Sequence, residues 1–467
     1  MRLRPSSAPS SGLELGVASV PPVNKWDRAS HLGTGGGERS LFGIVLLSLP
    51  AVAASALEPM AGIVDTAYLG HIDSRYLAAL AVTVTILSSF TWLFNFLVSG
   101  VTAQVGQAVG RGDREELGQQ VKLALLVALV AGVMTCVLLV LARVVLFTEL
   151  FGAEPGLTEL ARPYFLLRAF GMPLVLGNLA ISGILRGLQR IRLSLVLNLL
   201  VTGANVIVTY VLLFVWPLGL MGAALGTVGS FGLGTVAGVL WLVYRRREIG
   251  LDKSFHFAPW LIRRAIADSG NLILRTAALV GAFAATTAVV TRLGELCLAA
   301  HQIALQLWLL SSFLIDGFAI TGNMLGARLL GEGRPGARQL LGRLLLMAGL
   351  GCGVLFALAY GLGRAPIEGI FTNDPAVPPL LDEIWWILAL TQPMNALVYV
   401  YDGLLFGSRD FAYLRRHMLM ALLVVFLPLL YFAGLRVGSL RGVWIALSAL
   451  NFYRCVSCAW RFHRAAS

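Results

Sequence analysis

The sequence predicts an all-α membrane protein: twelve transmembrane helices arranged as two six-helix bundles that repeat in parallel. Three observations predict it. Of 467 residues, 57% are apolar and only 13% are charged, about half the charge a soluble domain carries. Apolar stretches long enough to cross a hydrocarbon core of about 30 Å recur along the whole chain, without the short alternating segments of a β-barrel. The second half of the sequence also echoes the first at a constant offset.

Residues 1–40, with "RPSSAPSSG" and "GTGGGE", are rich in Pro, Ser and Gly and lack an apolar core segment, so they read as a disordered tail with no signal peptide. Hydrophobic periodicity then places helices at 41–70, 76–108, 118–145, 157–187, 193–216, 218–244, 269–291, 296–327, 337–363, 378–407, 411–434 and 440–462. This divides the chain into a first lobe at 41–244, a basic linker at 245–268 and a second lobe at 269–467. With the amino terminus inside, 27 of the 36 Lys and Arg fall on the cytoplasmic side and 7 on the other, with Arg168 and Arg275 within helices. The positive-inside rule therefore places both termini in the cytoplasm, as expected of a multi-pass protein of a bacterial inner membrane. The net charge of +12 is topological and gives no nucleic-acid footprint.

The repeat is visible residue by residue. "LAAL" at 77–80 matches "LAAH" at 298–301, and "VGRGDREELGQQ" at 109–120 matches "LGEGRPGARQLL" at 330–341, both 221 apart. Pro173 matches Pro393, Gly187 matches Gly407 and Gly222 matches Gly442, each 220 apart. Six helices per unit give both halves the same orientation, the parallel-repeat arrangement of transporters that bind substrate between the repeats.

Polar residues in the apolar runs are the candidate functional groups, because burying a charge in hydrocarbon costs a few kcal/mol or more. In "LEPMAGIVDTAYLGHID" at 57–73, Glu58 and Asp65 lie close to two turns apart and share a helix face. Asp65 is the candidate coupling carboxyl, since a group that gains and loses a proton as its pocket opens couples a cation gradient to movement; a headgroup-level position is the alternative. Glu58 either shares a proton or cation with it or pairs with Arg168. Pro59 removes a backbone hydrogen bond between the two acids, and Pro50 offers a second point of bending. In "TGANVIVTY" and "GAALGTVGS", Asn205, Thr209 and Thr227 supply neutral oxygens suited to a proton relay or a hard cation.

The second half offers Arg275 in "NLILRTAAL", Asp316 in "LIDGFAIT", Asn323 shortly after it, and Asp402 in "VYDGLLFG". An Arg275–Asp316 or Arg275–Asp402 pair would lock that bundle. Gln306 and Asn323 are expected to add polar lining, and His301 reads as a packing residue. The Cys455–Cys458 C-x-x-C lies in a terminal membrane helix and reads as neither a zinc nor a redox motif. "GEGRPG" at 331–336 has glycine spacing but no preceding strand, and there is no Walker A, HExxH or GxSxG motif, so neither an ATPase nor a membrane enzyme is indicated.

"GIVDTAYLGHID", "TAQVGQAVGRGD", "GILRGLQRIRLSL", "PLGLMGAALGTV" and "LIDGFAITGNMLGARLLG" together resemble the DinF-like branch of the multidrug and toxic compound extrusion (MATE) family over about residues 41–462. The resemblance implies a V-shaped pair of lobes, a monomer, and cation-driven export of organic compounds. It puts the family's first-helix acid on Asp65, its asparagine on Asn205 and its sixth-helix threonine on Thr227. The family's aspartate four residues after the asparagine is Thr209 here, which leaves a Na⁺ site incomplete. An acid often seen in this branch is replaced by Asn323.

The sequence therefore predicts an antiporter, not an enzyme, that needs no bound cofactor or metal and is driven by an H⁺ gradient, with Na⁺ the second choice. Its partners are small organic substrates, the driving ion and the lipid bilayer. Lipophilic or cationic compounds would be exported against an aromatic lining of Phe90, Trp92, Phe94, Phe96, Trp308 and Phe313. A lipid flippase or an exporter of an anionic metabolite with the same two-lobe form is the alternative; a flippase calls for a large basic cavity.

Overall fold

The computed structural model describes residues 41–70, 74–150, 155–252, 259–371 and 375–464, with side chains omitted at 56–67, 69–70, 74–78, 81–82, 150, 155 and 157. Among the described residues there is no strand. The first half contains α1 (Leu41–Gly70), α2 (Ser74–Leu93), α3 (Phe96–Arg111), α4 (Arg114–Val144), α5 (Pro155–Phe170), α6 (Met172–Gly187), α7 (Ile191–Tyr210) and α8 (Leu220–Tyr244). A short α9 (Arg246–Ile249) leads to the second half. That half contains α10 (Pro259–Arg292), α11 (Glu295–Gly331), α12 (Pro335–Leu362), α13 (Arg364–Phe371), α14 (Val377–Leu390), α15 (Gln392–Gly407), α16 (Phe411–Met420), α17 (Leu427–Leu429) and α18 (Leu440–Arg464). Among the described residues, eight helical stretches are long and apolar enough to cross a membrane, one of them running from α2 into α3 (Thr83–Arg111), and α5 with α6, bent by 44°, makes a ninth if the pair is one span.

Three expected helices are broken. The 76–108 run divides at Phe94–Asn95 into α2 and α3, the 157–187 run divides at Gly171, and the 378–407 run divides at Thr391. Pro173 and Pro393 stand in the first turn of α6 and α15, where a missing N–H leaves a carbonyl of the preceding turn without its helical donor. The helix expected at 269–291 begins instead at Pro259, so residues 259–268 of the expected linker are helical. Helix α1 is helical at positions 50 and 59.

The repeat is also built into the packing. A Cβ on Gly132 would lie 2.4 Å from the Cα of Pro173, and one on Gly353 would lie 2.7 Å from the Cα of Pro393. The same glycine thus admits the same proline-bearing backbone in each half. Gly112 (φ +69°) and Gly333 (φ +67°) turn the chain after α3 and α11. In the first of these turns, the Asp113 carboxylate accepts hydrogen bonds from the backbone N–H groups of Glu115 (2.9 Å) and Glu116 (3.0 Å), which caps α4. Gln189 (φ +63°) and Arg409 (φ +60°) are the non-glycine residues with left-handed backbones among those described, and they too stand 220 apart.

The halves meet along α3, α11 and α1, toward the end that carries the 112 and 333 turns. The Gln107 side chain donates to the Gly407 carbonyl (2.9 Å), Asn323 to the Ser99 carbonyl (2.9 Å) and Gln189 to the Met324 carbonyl (3.0 Å). A Cβ on Gly106 would lie 3.0 Å from that of Ala327, and one on Gly110 only 2.2 Å from the Arg328 carbonyl oxygen. Small residues let the two backbones touch here, as they do between helices in lipid.

Candidate functional site

Beyond this seal the halves part around a cavity with about 1340 Å³ of empty space, some of it open to solvent. The cavity is lined mainly by α2, α3, α10, α11 and α15. Five pairs of lining residues come from equivalent positions of the repeat, 221 apart: Trp92 with Phe313, Asn95 with Asp316, Val98 with Ala319, Ser99 with Ile320, and Thr102 with Asn323. The local pseudo-twofold relationship therefore runs through the cavity.

Its character changes along its depth. Toward the seal the walls carry Thr102, Arg186, Arg275, Asp316, Asn323 and Asp402. Away from the seal they carry Trp92, Leu279, Val280, Phe283, Trp308 and Phe313. Of the aromatics expected to line a site, Trp92, Phe96, Trp308 and Phe313 do so, whereas Phe90 and Phe94 pack against the core of the first half. Gln306, expected as polar lining, is exposed on the outer face of α11, because the helix turn that aims Trp308 inward aims Gln306 out.

Arg275, Asp316, Asn323 and Asp402 all reach this cavity, and three of them are tied down. Asp402 accepts hydrogen bonds from Arg275 Nη2 and from Arg454 Nη2, the latter at 2.6 Å. The Asp402 and Arg454 side chains are only 6% and 5% exposed. Arg454 Nη1 donates to Asn451 Oδ1 (2.8 Å), and Asn451 Nδ2 donates to Asn395 Oδ1 (3.2 Å). The Cys458 thiol adds a long contact of 3.7 Å to Asp402 Oδ1. The Arg275 guanidinium lies over the Phe406 ring at 5.1 Å, and its Nε is buried without a partner among the described residues. Asp316 makes no hydrogen bond or ion pair among the described residues, and its carboxyl faces the cavity beside Arg186 and Arg275.

Arg168 is not among the described lining of the cavity: it lies at the end of α5, its Nη1 3.5 Å from the Tyr164 hydroxyl and its guanidinium 5.8 Å from that ring, and the Glu58 side chain offered as its partner lies outside the described residues. The count of 27 cytoplasmic Lys and Arg includes Arg186 and Arg454 at helix ends. The first reaches the cavity and the second is buried in α18, so the interior is richer in positive charge than the sequence count implied. The signal for Arg454 was its place in the apolar run from 440, one helical turn before Cys458.

In the first half, Asn205, Thr209 and Thr227 come together between α7 and α8. Asn205 Nδ2 donates to Thr227 Oγ1 (3.2 Å), whose hydroxyl donates to the Ala223 carbonyl (3.0 Å). Thr209 packs on Gly226, where a Cβ would lie 2.2 Å from its Oγ1. Asn205 Oδ1, Thr209 Oγ1 and, on α6, Asn178 Oδ1 are buried without a hydrogen-bond partner among the described residues. Buried oxygens left this way usually find water, a proton donor or a cation. Asn178 gave no sequence signal beyond an amide in an apolar run. The side chains of Glu58, Pro59 and Asp65 lie outside the described residues. Pro50 is half-buried in α1. His301 is buried edge-on to Trp444, 5.7 Å between centroids, with Nε2 3.4 Å from Thr287 Oγ1.

The family model described as MatE matches residues 50–211 and 272–432. The chain is 29% identical over 442 residues to Protein DETOXIFICATION 45, chloroplastic, of Arabidopsis thaliana, covering 89% of this chain and 77% of that protein. It is 28% identical over 433 residues to DNA damage-inducible protein F of Escherichia coli, covering 89% of this chain and 91% of that one. The fold matches a MOP superfamily transporter from Pyrococcus furiosus with a TM-score of 0.82 at 19% identity, over 92% of this chain and 98% of that one.

Proposed function

The chain belongs to the MatE family of membrane transporters, and on that premise we propose that it is an H⁺-driven antiporter exporting lipophilic organic compounds through the cavity between its halves. The observation that carries this reading is the cavity itself. It lies on the pseudo-twofold relationship, is closed by the Gln107, Asn323 and Gln189 contacts at one end, and is walled by aromatics toward the other. Alternating access by rocking of two repeats needs this geometry.

The sequence puts the sealed end on the cytoplasmic side, so the arrangement is the outward-facing one. Asp65 is the coupling carboxyl, with Glu58 on the same face of α1. Asn205 Oδ1 and Thr209 Oγ1, beside Thr227 and without partners among the described residues, support a proton relay leading to it. With a threonine at 209 this cluster lacks a second carboxylate, which favours H⁺ over Na⁺. Protonation of Asp65 from outside neutralises it, releases substrate and lets α1 bend at Pro59 with help from Pro50. The protein acts as a monomer in a bacterial inner membrane and uses no bound cofactor.

The second reading, an exporter of anionic compounds, draws on Arg186 and Arg275 at the cavity wall. Proteoliposomes loaded with a matched pair of dansyl probes, one ending in a sulfonate and one in a trimethylammonium, test the coupling. An imposed pH gradient is expected to drive efflux of at least one probe by the wild type and not by Asp65→Asn. Equal gradient-driven efflux from both proteins would remove Asp65 from the mechanism.

A further inference from the structure

We propose that the sealed end of the cavity opens on one side only, along the seam between α3 and α10, and that lipophilic substrate reaches the cavity there by passing Phe96 and Leu272. This deepens the exporter reading and rests on it for the direction of passage, but not on the identity of the driving ion.

The repeat makes two seams between the halves equivalent. On one, α1 of the first half lies on α11 of the second; on the other, α10 of the second half lies on α3 of the first. The α1–α11 seam is tight. A Cβ on Gly317 would lie 2.4 Å from Val52 Cγ2 and 2.6 Å from the Val52 backbone nitrogen, so the two backbones touch there. Ile44 of α1 is fully buried in a core with Phe318 and Leu325 of the second half. In the repeat, Phe96 stands 221 before Gly317, and Leu272 stands 220 after Val52. The α3–α10 seam thus carries two bulky side chains where its mate sets a glycine against a backbone. At Gly100 of α3, the nearest atom to an added Cβ is the tip of a side chain, Leu272 Cδ1, at 3.1 Å.

The wider seam holds a crevice with about 350 Å³ of empty space, some of it open to solvent. Phe96 and Leu272 line both this crevice and the cavity, so these two side chains are the partition between them. From there the crevice runs toward the sealed end, between α3, α4 and α10, and its walls are apolar apart from Gln104, Asp268 and Ser269. Gln104 Nε2 donates to Asp268 Oδ2 across the seam (3.3 Å), and Asp268 is paired with Arg409. Asp268 and Arg409 both belong to the second half and move together. Parting the seam therefore gives up one hydrogen bond from a neutral amide and the packing of Leu261 and Ala265 on Leu123, and it strands no charge. Parting the α1–α11 seam would instead forfeit close backbone packing. The α1–α11 seam is thus the hinge, and the crevice is the passage that widens about it.

Thiol accessibility tests this without any gradient or transported compound, so the result does not depend on coupling. In the purified full-length protein with its five native cysteines replaced, Ala265→Cys reports on the α3–α10 seam and Ile44→Cys, 221 earlier, on its mate. Gln104→Leu, with Gln104→Ala as a second variant, removes the bond across the seam and leaves the Asp268–Arg409 pair in place. Either is expected to raise the rate of N-ethylmaleimide labelling at Ala265→Cys about tenfold, the usual scale for a hydrogen bond to a charged group. The rate at Ile44→Cys is expected to stay unchanged. Gln104→Lys, which returns a donor to Asp268, is expected to keep the Ala265→Cys rate near that of the parent. Melting temperatures close to the parent's assign the increase to the seam. A rise at Ile44→Cys as large as that at Ala265→Cys would overturn the proposal, as would an unchanged rate at Ala265→Cys. Failure of the Asp65→Asn efflux test would leave this result standing.

Discussion

Asp402 on α15 and Arg454 on α18 form an ion pair at 2.6 Å in the interior of the second half, and Arg275 on α10 closes on the same carboxylate oxygen. One acid thereby ties together three helices that are far apart in sequence. Taking one partner out of such a group strands the others in low dielectric, which costs about 3–5 kcal/mol. Asp402→Asn is therefore expected to lower the unfolding free energy of the purified protein by roughly that amount. Adding Arg454→Gln to it is expected to restore part of the loss, because one stranded guanidinium is gone. Denaturant unfolding in detergent, run as a double-variant cycle, measures both.

The seal between the halves makes a second prediction. Position 106 on α3 and position 327 on α11 face each other across the seal, with a Cβ on Gly106 3.0 Å from that of Ala327, so a parting of the two backbones by under 1 Å brings the pair to the roughly 3.5–4.5 Å of a disulfide. With the five native cysteines replaced, Gly106→Cys with Ala327→Cys is expected to cross-link on oxidation and to stop export. Reduction is expected to restore it. Continued export by the cross-linked protein, verified on a gel, would mean that the seal does not open during transport.

Thr209 separates a structural role from a coupling role. Its hydroxyl is fully buried and has no partner among the described residues, so Thr209→Val removes an unsatisfied polar group at nearly constant volume. The melting temperature is expected to hold or rise, while H⁺-driven efflux falls several-fold. A fall in both together would make Thr209 a packing residue.

The same position offers a gain of function. Thr209→Asp puts a carboxylate one helical turn from Asn205 and beside Thr227, completing a set of hard oxygen ligands. Efflux by this variant is expected to become stimulated by a Na⁺ gradient that leaves the wild type unaffected. Measuring efflux under the two gradients separately checks this.

Much of this architecture was legible because duplication leaves a constant offset. Pro173 and Pro393, and Gly187 and Gly407, could be matched before any coordinates, and the structure gives each pair the same setting. Asn205 and Thr227 were legible because amides and hydroxyls are conspicuous in apolar runs. Arg454 was not, since a basic residue ten positions from a helix end looks like a headgroup anchor until its acid is seen across the bundle. Arg186 was hidden for the same reason. The breaks at Phe94–Asn95 and Gly171 were missed because hydropathy does not change across them. The left-handed backbones of Gln189 and Arg409 carry no glycine to announce them. Each costs about 1–2 kcal/mol, offset where Gln189 reaches the Met324 carbonyl and Arg409 pairs with Asp268.

The most direct test of the central claim is proton movement itself. Proteoliposomes carrying the purified protein and a trapped pH-sensitive dye are preloaded with the dansyl probe that the protein exports, and the outward probe gradient is then imposed without any initial pH difference. Exchange through Asp65 predicts acidification of the lumen as the probe leaves, abolished in Asp65→Asn. Probe efflux from the wild type with no change in luminal pH would contradict it.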